Sequence, residues 1–475
     1  VTAIEQIARR TGLVLTSRRR LGLVLGTVGF VIPWVVDFDG LSEAGHRALA
    51  VFLLAIVLWV TEAIPLYATA AGIIFFQILL ISDEALVALP EGFAAPGYAD
   101  FYAVLAHPVL MLFLGGFFLA NGASRFRLDR SMARVLLRPF GDAPRMILLG
   151  LMVVTAGFSM FMSNTATTAT LMAVVLPVIA SLEGDDRLRV SLALSIPIAA
   201  NIGGIGTPVG TPPNAIALGG LGDAGVDVSF LEWMAMAVPL VVALLAFAWL
   251  LLVWLFPAKA GSVRLQIDAD FDRSRDARIF YATFALTVAL WLTEPLHGIK
   301  ATIVGFVPVV VLLATRVFRS RDLQRIQWHI LWLVAGGLAL GIGVASTGLD
   351  VWLIDLVSWD TMPAWLVAAL LALVALVMST VISNSAAANL LVPIGLTLAA
   401  SPAIELDPIR VGFFIAIGAS LAMALPISTP PNAIAYSTGA TRTADMARAG
   451  LAVGAVGLVL FVAVGPLLWG LLGVG

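Results

Sequence analysis

Four short polar stretches interrupt the apolar segments of this chain, and they form two matched pairs. Ser163-Asn164-Thr165 is followed by Thr211-Pro212-Pro213-Asn214-Ala215-Ile216-Ala217. Ser383-Asn384-Ser385 is followed, at near-equal spacing, by Thr429-Pro430-Pro431-Asn432-Ala433-Ile434-Ala435. Helix-breaking, amide- and hydroxyl-rich backbone is costly in a bilayer unless it is buried in protein or lines a cavity. Its recurrence at corresponding places in two halves of a chain points to the binding site of a secondary transporter.

The surrounding sequence has the composition that this constraint requires. Of 475 residues, 60% are hydrophobic and 12% charged, and the mean hydropathy is +1.03. Soluble domains carry about 25% charged residues, so the composition is that of an all-α polytopic membrane protein. There is no cysteine, which excludes disulfides and thiolate metal sites. The net charge of −2 says little, because placement matters more than the total. Arg18-Arg19-Arg20 ahead of residues 21–36 imitates a signal peptide, but no small-residue cleavage site follows. The segment is expected to be a first transmembrane helix.

Apolar stretches near the spanning length of about 20 residues fall at 21–36, 47–63, 65–82, 104–123, 190–218, 229–256, 279–294, 299–315, 328–349, 411–438 and 449–474, giving eleven crossings. Two further segments, 146–182 and 363–400, each carry a Ser-Asn motif at the centre. Reading both as re-entrant hairpins, with the N-terminus cytoplasmic and the C-terminus outside, leaves only Arg47, Lys300 and Arg410 of the 27 Lys and Arg residues on the outer side. That satisfies the positive-inside rule; reading either hairpin as a single crossing would invert all that follows. The expected location is a cell inner or plasma membrane.

The halves correspond at further points. Trp59-Val60-Thr61-Glu62 answers Trp291-Leu292-Thr293-Glu294, Gly115-Gly116 answers Gly336-Gly337, and Ser159 answers Ser379. With Glu62 inside and Glu294 outside, the repeats are inverted. The expected organisation is residues 1–45 as an N-terminal segment and first helix, 46–257 as repeat 1 (hairpin 146–182, broken helix 190–218), 258–276 as a cytoplasmic linker, and 277–475 as repeat 2 (hairpin 363–400, broken helix 411–438). The linker carries Lys259, Arg264, Asp268, Asp270, Asp272, Arg273 and Arg275.

A hairpin tip joins the C-terminal carbonyls of one helix, suited to a small hard cation, to the N-terminal N–H groups of the next, suited to a carboxylate. Ser, Asn and Thr add caps and ligands without formal charge. Proline withholds a donor, frees carbonyls before it and starts the next helix favourably. Segments 146–182, 190–218, 363–400 and 411–438 contain no Lys, Arg, His, Asp or Glu. A multivalent anion there needs positive charge from bound cations, and Na⁺ suits neutral oxygens, whereas proton coupling calls for a titratable group in the core. Other features have plainer readings. Gly115-Gly116 and Gly336-Gly337 are expected to be close-packing positions, Glu62 and Glu294 helix ends, and His46, His107, His297 and His329 interfacial. The basic run Arg125–Arg145, with Met132, Val135 and Leu136 among its arginines, is expected to lie on the membrane surface.

These motifs resemble the divalent anion:sodium symporter family of dicarboxylate, tricarboxylate and sulfate carriers, over nearly the whole chain. The resemblance implies eleven transmembrane helices plus two hairpins, a homodimer and an elevator mechanism. It implies one Na⁺ held by Ser159, Ser163, Asn164 and the backbone at Gly210, and a second held by Ser379, Asn384 and the backbone near Ser428. The substrate would meet Ser163, Asn164, Thr165, Thr211, Pro212, Ser383, Asn384, Ser385, Thr429 and Pro430. Ser385 departs from the family's carboxylate pattern, which has threonine there, so the choice among dicarboxylate, tricarboxylate and sulfate stays open.

The leading expectation is sodium-coupled uptake of a C4-dicarboxylate such as succinate, malate or fumarate, with Na⁺ as the co-transported ion and no organic cofactor. The expected partners are a small anionic substrate, the lipid bilayer and a second copy of the chain, and no nucleic acid. The alternatives are a sodium-independent dicarboxylate exchanger, a citrate or sulfate carrier of the same fold, and a channel, which paired broken helices disfavour. An intramembrane enzyme lacks its nucleophile–base pair or metal ligands at depth.

Overall fold

The computed structural model describes residues 3–184, 186–265, 267, 269–357, 359, 362–401 and 405–473, with backbone alone for 3–18 and 472. Arg9, Arg10 and Arg18 are therefore placed only by backbone, and Asp268 of the linker lies outside the described residues.

The described residues form helices and connecting turns, with no strand among them. The first part holds α1 (Ala3–Val35), α2 (Glu43–Thr61), α3 (Leu66–Ile81), α4 (Tyr98–Ala103), α5 (Pro108–Arg125) and α6 (Leu128–Leu137). Then come α7 (Pro144–Phe161), α8 (Asn164–Ser181), α9 (Leu188–Ile205), α10 (Pro212–Asp223) and α11 (Phe230–Leu255). The second part opens with α12 (Arg275–Leu292), α13 (Glu294–His297), α14 (Ala301–Val304), α15 (Val307–Ala314), α16 (Ser320–Leu323), α17 (Trp328–Ser346) and α18 (Leu349–Asp355). It closes with α19 (Ala364–Val381), α20 (Asn384–Ala400), α21 (Pro408–Ser420), α22 (Pro430–Ser437), α23 (Thr443–Val459) and α24 (Gly465–Leu472).

Helix ends collect on two opposite faces. On one, the linker meets both flanks of the first Ser-Asn segment: Val263 N donates to Asp142 O at 2.9 Å, and Lys259 N and Ala260 N donate to the Asp186 carboxylate at 3.1 and 3.0 Å. The chain entering α7 and the chain leaving α8 thus reach the same place, so α7 and α8 run out and back. Arg125–Asp322 at 2.9 Å and Arg134–Asp270 at 2.6 Å belong to this linker face. The far face is marked by Trp352 Nε1 donating to Asp39 O at 3.0 Å, and by the pairs His107–Asp223 and Lys300–Asp227. The second Ser-Asn segment also doubles back, with Leu371 of α19 beside Gly395 of α20.

Among the described residues nine helices are long and apolar enough to cross a membrane. Several expected crossings are built from shorter pieces. Residues 299–315 divide into α14 and α15 because Pro308 supplies no donor and Gly305 is pressed against α5, where a methyl on Gly115 would overlap the Gly305 carbonyl. Residues 104–123 break at His107-Pro108, with the His107 ring capping Val109 N. Residues 449–474 pass through a π-turn at Leu460–Val464. An 18-residue arm such as α7 is about 27 Å long, so its tip lies at half depth only if the arm starts in the charged layer and runs obliquely.

The glycine pairs are packing positions, as their composition suggested. Gly115 abuts Gly305 and Gly116 faces Val209, while Gly336 abuts Ala70 and Gly337 faces Asn389. Trp59 and Trp291 are fully buried, and each indole donates across a bend, to Leu66 O at 3.2 Å and Ala301 O at 3.1 Å. Glu62 ends α2 with φ +49°, and the Glu294 carboxylate accepts from Phe230 N and Ala301 N.

Candidate functional site

Each Ser-Asn motif stands where one apolar helix stops and another starts. α7 ends at Phe161 and α8 begins at Asn164; α19 ends at Val381 and α20 begins at Asn384. Met162 and Ser163 are extended, which leaves the last carbonyls of α7 and the first N–H groups of α8 without intrahelical partners. Ile382 and Ser383 do the same in the second half, where the Ser383 hydroxyl accepts from Ala386 N at 3.1 Å. Ser163 makes no such cap.

Buried serines tie these tips to the broken helices beside them. The single Ser159 hydroxyl proton is shared between two acceptors, Asn164 Oδ1 at 2.5 Å and Ala200 O of α9 at 2.8 Å. The Ser379 hydroxyl proton is shared in the same way between Asn384 Oδ1 at 2.7 Å and Ala419 O of α21 at 2.7 Å. The same three-point contact therefore occurs twice. It holds a serine oxygen, an amide oxygen and a backbone carbonyl within a few ångströms, all neutral, which is donor chemistry for a hard monovalent cation.

The broken helices are propped open by the asparagines of the Thr-Pro-Pro-Asn runs. Between α9 and α10, the two N–H groups of Asn214 Nδ2 are shared among three carbonyls, Gly204 O, Ile205 O and Thr207 O, at 3.0, 3.3 and 2.8 Å. Between α21 and α22, Asn432 Nδ2 donates to Met423 O and Leu425 O at 2.8 and 3.0 Å. Each break is also stitched to its tip: Thr207 Oγ1 donates to Met160 O, and Ser428 Oγ donates to Thr380 O at 3.0 Å. Thr211 and Thr429 stand at the N-cap positions of α10 and α22, both buried, with prolines at the first helical turns.

The expected residues thus assemble as two clusters. Ser159, Asn164 and Gly210 join through α9, and a methyl on Gly210 would overlap the Gly204 carbonyl. Ser379, Asn384, Ser428 and Thr429 join through α21 and α22. Ser163, Thr165, Pro212, Ser383 and Ser385 are half-buried at these ends, and Pro430 is exposed. Among the described residues no side-chain hydrogen bond joins the tip at Ser163–Thr165 to that at Ser383–Ser385. The clusters meet through Asn201 of α9, whose Nδ2 donates to Thr429 Oγ1 at 3.2 Å and Asn432 Oδ1 at 3.3 Å.

Asn201, Thr207 and the propping role of Asn214 and Asn432 were not expected. Asn201 is one of two amide side chains in residues 190–218 and carried a signal, since an intramembrane amide needs partners; Thr207 sits one residue ahead of a proline. A second unforeseen pair lies at the edge of the site. Asp129 of α6 and Asp350 of α18, both buried, accept from Thr170 Oγ1 at 2.7 Å and Thr397 Oγ1 at 3.1 Å on the returning arms α8 and α20. Each follows a residue with positive φ, Arg127 or Gly348, two positions before. These carboxylates face hairpin flanks and leave the clusters free of charge. Among the described residues no group of three His, Asp or Glu side chains could hold a metal ion. A cavity of about 1010 Å³ opens on the far face between α5, α10, α11 and α14–α15; it touches the break at Pro208 and is walled by apolar residues such as Leu112, Leu218 and Phe306 and by charged ones that include Asp223, Glu294 and Lys300.

The chain is similar to known proteins over nearly its whole length. Residues 17–474 match the family model described as "Sodium:sulfate symporter transmembrane region". The chain is 29% identical to the sodium-dependent dicarboxylate transporter SdcS of Staphylococcus saprophyticus, over 94% of this chain and 90% of that protein. It is 30% identical to an uncharacterized transporter of Haemophilus influenzae, over 93% and 95%. Among solved structures it resembles the Alcanivorax borkumensis YdaH transporter, with a TM-score of 0.54 and 14% identity, over 90% of this chain and 99% of that one. At that identity the likeness speaks for the fold alone.

Proposed function

Since the chain belongs to the sodium:sulfate symporter family, and is a membrane transporter rather than an enzyme, we propose that it couples inward Na⁺ movement to uptake of a C4-dicarboxylate such as succinate, malate or fumarate. The observation that carries this reading is the duplicated neutral oxygen cluster, Ser159–Asn164–Ala200 and Ser379–Asn384–Ala419. One such cluster is a common packing arrangement; two, each set against the free start of a helix, are suited to two cations flanking one dianion. The SdcS relatives, named as sodium-dependent dicarboxylate transporters, support the pairing of ion and substrate.

In this reading the first Na⁺ takes Ser159, Ser163, Asn164 and the backbone at Gly210, and the second takes Ser379, Asn384 and the backbone near Ser428. A cation arriving between Ser159 Oγ and Asn164 Oδ1 replaces their hydrogen bond, so the serine proton turns elsewhere and both oxygens face the ion. The anion then meets the N-terminal ends of α8 and α20, where the N–H groups and the side chains of Asn164, Thr165, Asn384 and Ser385 donate, with Thr211, Pro212, Thr429 and Pro430 on the opposing wall. Because the protein contributes no formal charge, the dianion binds well only after the cations, which is the physical basis of coupling. The halves act as inverted repeats, 46–257 and 277–475 about the linker 258–276, with 146–182 and 363–400 as re-entrant hairpins. They move with 190–218 and 411–438 as an elevator in a homodimer of an inner or plasma membrane, N-terminus cytoplasmic and C-terminus outside.

A citrate or sulfate carrier of the same fold is the second reading, and Ser385 is the observation that favours it, since the missing methyl alters the anion wall. Ser385→Thr should then shift preference toward dicarboxylate, a methyl-sized change being worth about 1–3 kcal/mol. The test is uptake of labelled succinate, citrate and sulfate by proteoliposomes with and without external Na⁺. Succinate uptake that requires Na⁺ is expected. Uptake of sulfate or citrate alone replaces the substrate assignment, and undiminished sodium-free counterflow replaces symport by exchange.

A further inference from the structure

The two halves are not equal at one point. Asn201 of α9 follows Ala200, whose carbonyl binds Ser159; Ser420 of α21 follows Ala419, whose carbonyl binds Ser379. Positions 201 and 420 are therefore equivalent. They are buried alike, at 2% exposure each. Asn201 reaches across to the other half and donates to Thr429 Oγ1 and Asn432 Oδ1. Ser420 is shorter by two heavy atoms. Its hydroxyl, and the Asn214 Oδ1 that corresponds to Asn432 Oδ1, find no partner among the described residues. α21 runs antiparallel to α10, with Leu221 over Gly412, so Ser420 comes to the start of α10, where Thr211 and Asn214 sit.

Thr429 Oγ1 accepts twice, from Asn201 Nδ2 and from Asn432 N at 3.3 Å. A hydroxyl oxygen with both acceptor positions used keeps one function, donation, and its O–H is turned away from the two N–H groups. The Thr211 hydroxyl receives no equivalent bond from position 420.

We propose that Asn201 is a positioning residue that locks the Thr429 hydroxyl as a fixed donor to the anion, while the Ser420 side of the site is left unlocked so that Thr211 adapts to the far end of the substrate. The inference rests on the proposed anion site between α10 and α22. It makes position 201 a determinant of affinity and position 420 a determinant of how many anions are accepted.

The test is a double-mutant cycle of Asn201→Ser with Thr429→Val, measured with whichever divalent anion the wild-type protein takes up, by half-saturation and maximal rate in proteoliposomes. Asn201→Ser copies the residue found at the equivalent place. It should raise the half-saturation concentration about five- to ten-fold, the range for one neutral hydrogen bond, with maximal rate within two-fold. In the Thr429→Val background the same change should have almost no further effect. Thr429→Val should cost more than Thr211→Val, a comparison that leaves position 201 intact should Asn201→Ser fail to fold. Ser420→Asn should narrow the ratio of uptake among succinate, citrate and sulfate. Full additivity in the cycle, or equal losses for the two threonines, overturns the lock. If the wild type takes up none of the three anions, the proposed function fails; in that case the cycle, read by thermal shift in Na⁺, overturns the lock by additivity and supports it by non-additivity.

Discussion

Gly204 lies where a single methyl group tests the first cation cluster. A Cβ built there would sit 2.6 Å from Asn164 Oδ1 and 2.8 Å from Asn164 Nδ2. Carbon and polar atoms settle at about 3.3–3.6 Å, so Gly204→Ala requires the amide to retreat by roughly 0.7 Å. Neither side gives easily. Asn164 is short and tied to Ser159 at 2.5 Å, and the Gly204 carbonyl is held by Asn214 at 3.0 Å. Overpacking of this kind costs about 1–3 kcal/mol. Part of that appears as lost stability, and the rest as an amide oxygen withdrawn from the ion. Losing one charge-assisted contact is worth about 1.5–3 kcal/mol, or ten- to hundred-fold in affinity. The expected result is a rise of that order in the Na⁺ concentration for half-maximal uptake, with a smaller effect on saturating uptake. Gly157→Ala, in α7 with open space around its Cβ, is the control and should be neutral or stabilising by up to about 1 kcal/mol. The second cluster carries Met423 where the first has Gly204, so the sensitivity belongs to the first site alone. A folded Gly204→Ala protein with Na⁺ half-saturation within two-fold of wild type would refute the placement of the cation at Asn164.

Three further outcomes follow from the bonds described. Asn214→Ala removes two N–H donors shared among three carbonyls of its break, and Asn432→Ala removes two carbonyl bonds and the amide oxygen that accepts from Asn201; at about 1 kcal/mol per bond, each should lower the thermal midpoint by a similar amount, and a wild-type midpoint for either variant in a detergent melt counts against the propping role. Thr170→Val leaves the buried Asp129 carboxylate short of a donor and should cost about 1.5–3 kcal/mol, while Thr170→Ser should be nearly silent in both melting and transport; equal behaviour of the two variants would show that the hydroxyl is not what matters. Burial alone pushes the Asp186 carboxyl up, but the N–H groups of Leu188, Lys259 and Ala260 and the Lys259 ammonium outweigh it, so its pKa lies below the ordinary value. A depressed folded pKa contributes stability above about pH 4 that is lost as pH falls through the folded value; Asp186→Asn should therefore melt lower than wild type at pH 7, with the gap closing below about pH 4, and a gap independent of pH would contradict the assignment.

Much of the site was legible because polar residues are conspicuous in apolar sequence. Ser163-Asn164 and Ser383-Asn384 stand where the helices break, since extended residues, caps and prolines act locally. The remainder depended on contacts distant in the chain. Asn201 acquires its meaning only from Thr429, and Thr207 only from Met160 O. Asp129 and Asp350 gain their partners only where the returning arms α8 and α20 cover them. The division of residues 299–315 was marked by Pro308, but the closeness of Gly305 to Gly115 that accompanies it is a tertiary fact. The glycine pairs were readable as packing positions, though not which face of each pair met which helix.

Accumulation against a gradient tests the central claim most directly. Proteoliposomes containing the purified protein, loaded with K⁺ buffer, are given labelled succinate outside together with an inward Na⁺ gradient or, separately, an inward proton gradient in the absence of Na⁺. With neutral oxygens and no titratable group in the two clusters, the Na⁺ gradient alone should drive internal succinate above the external concentration, and the proton gradient alone should not. Concentrative uptake driven by protons without Na⁺ would contradict the account.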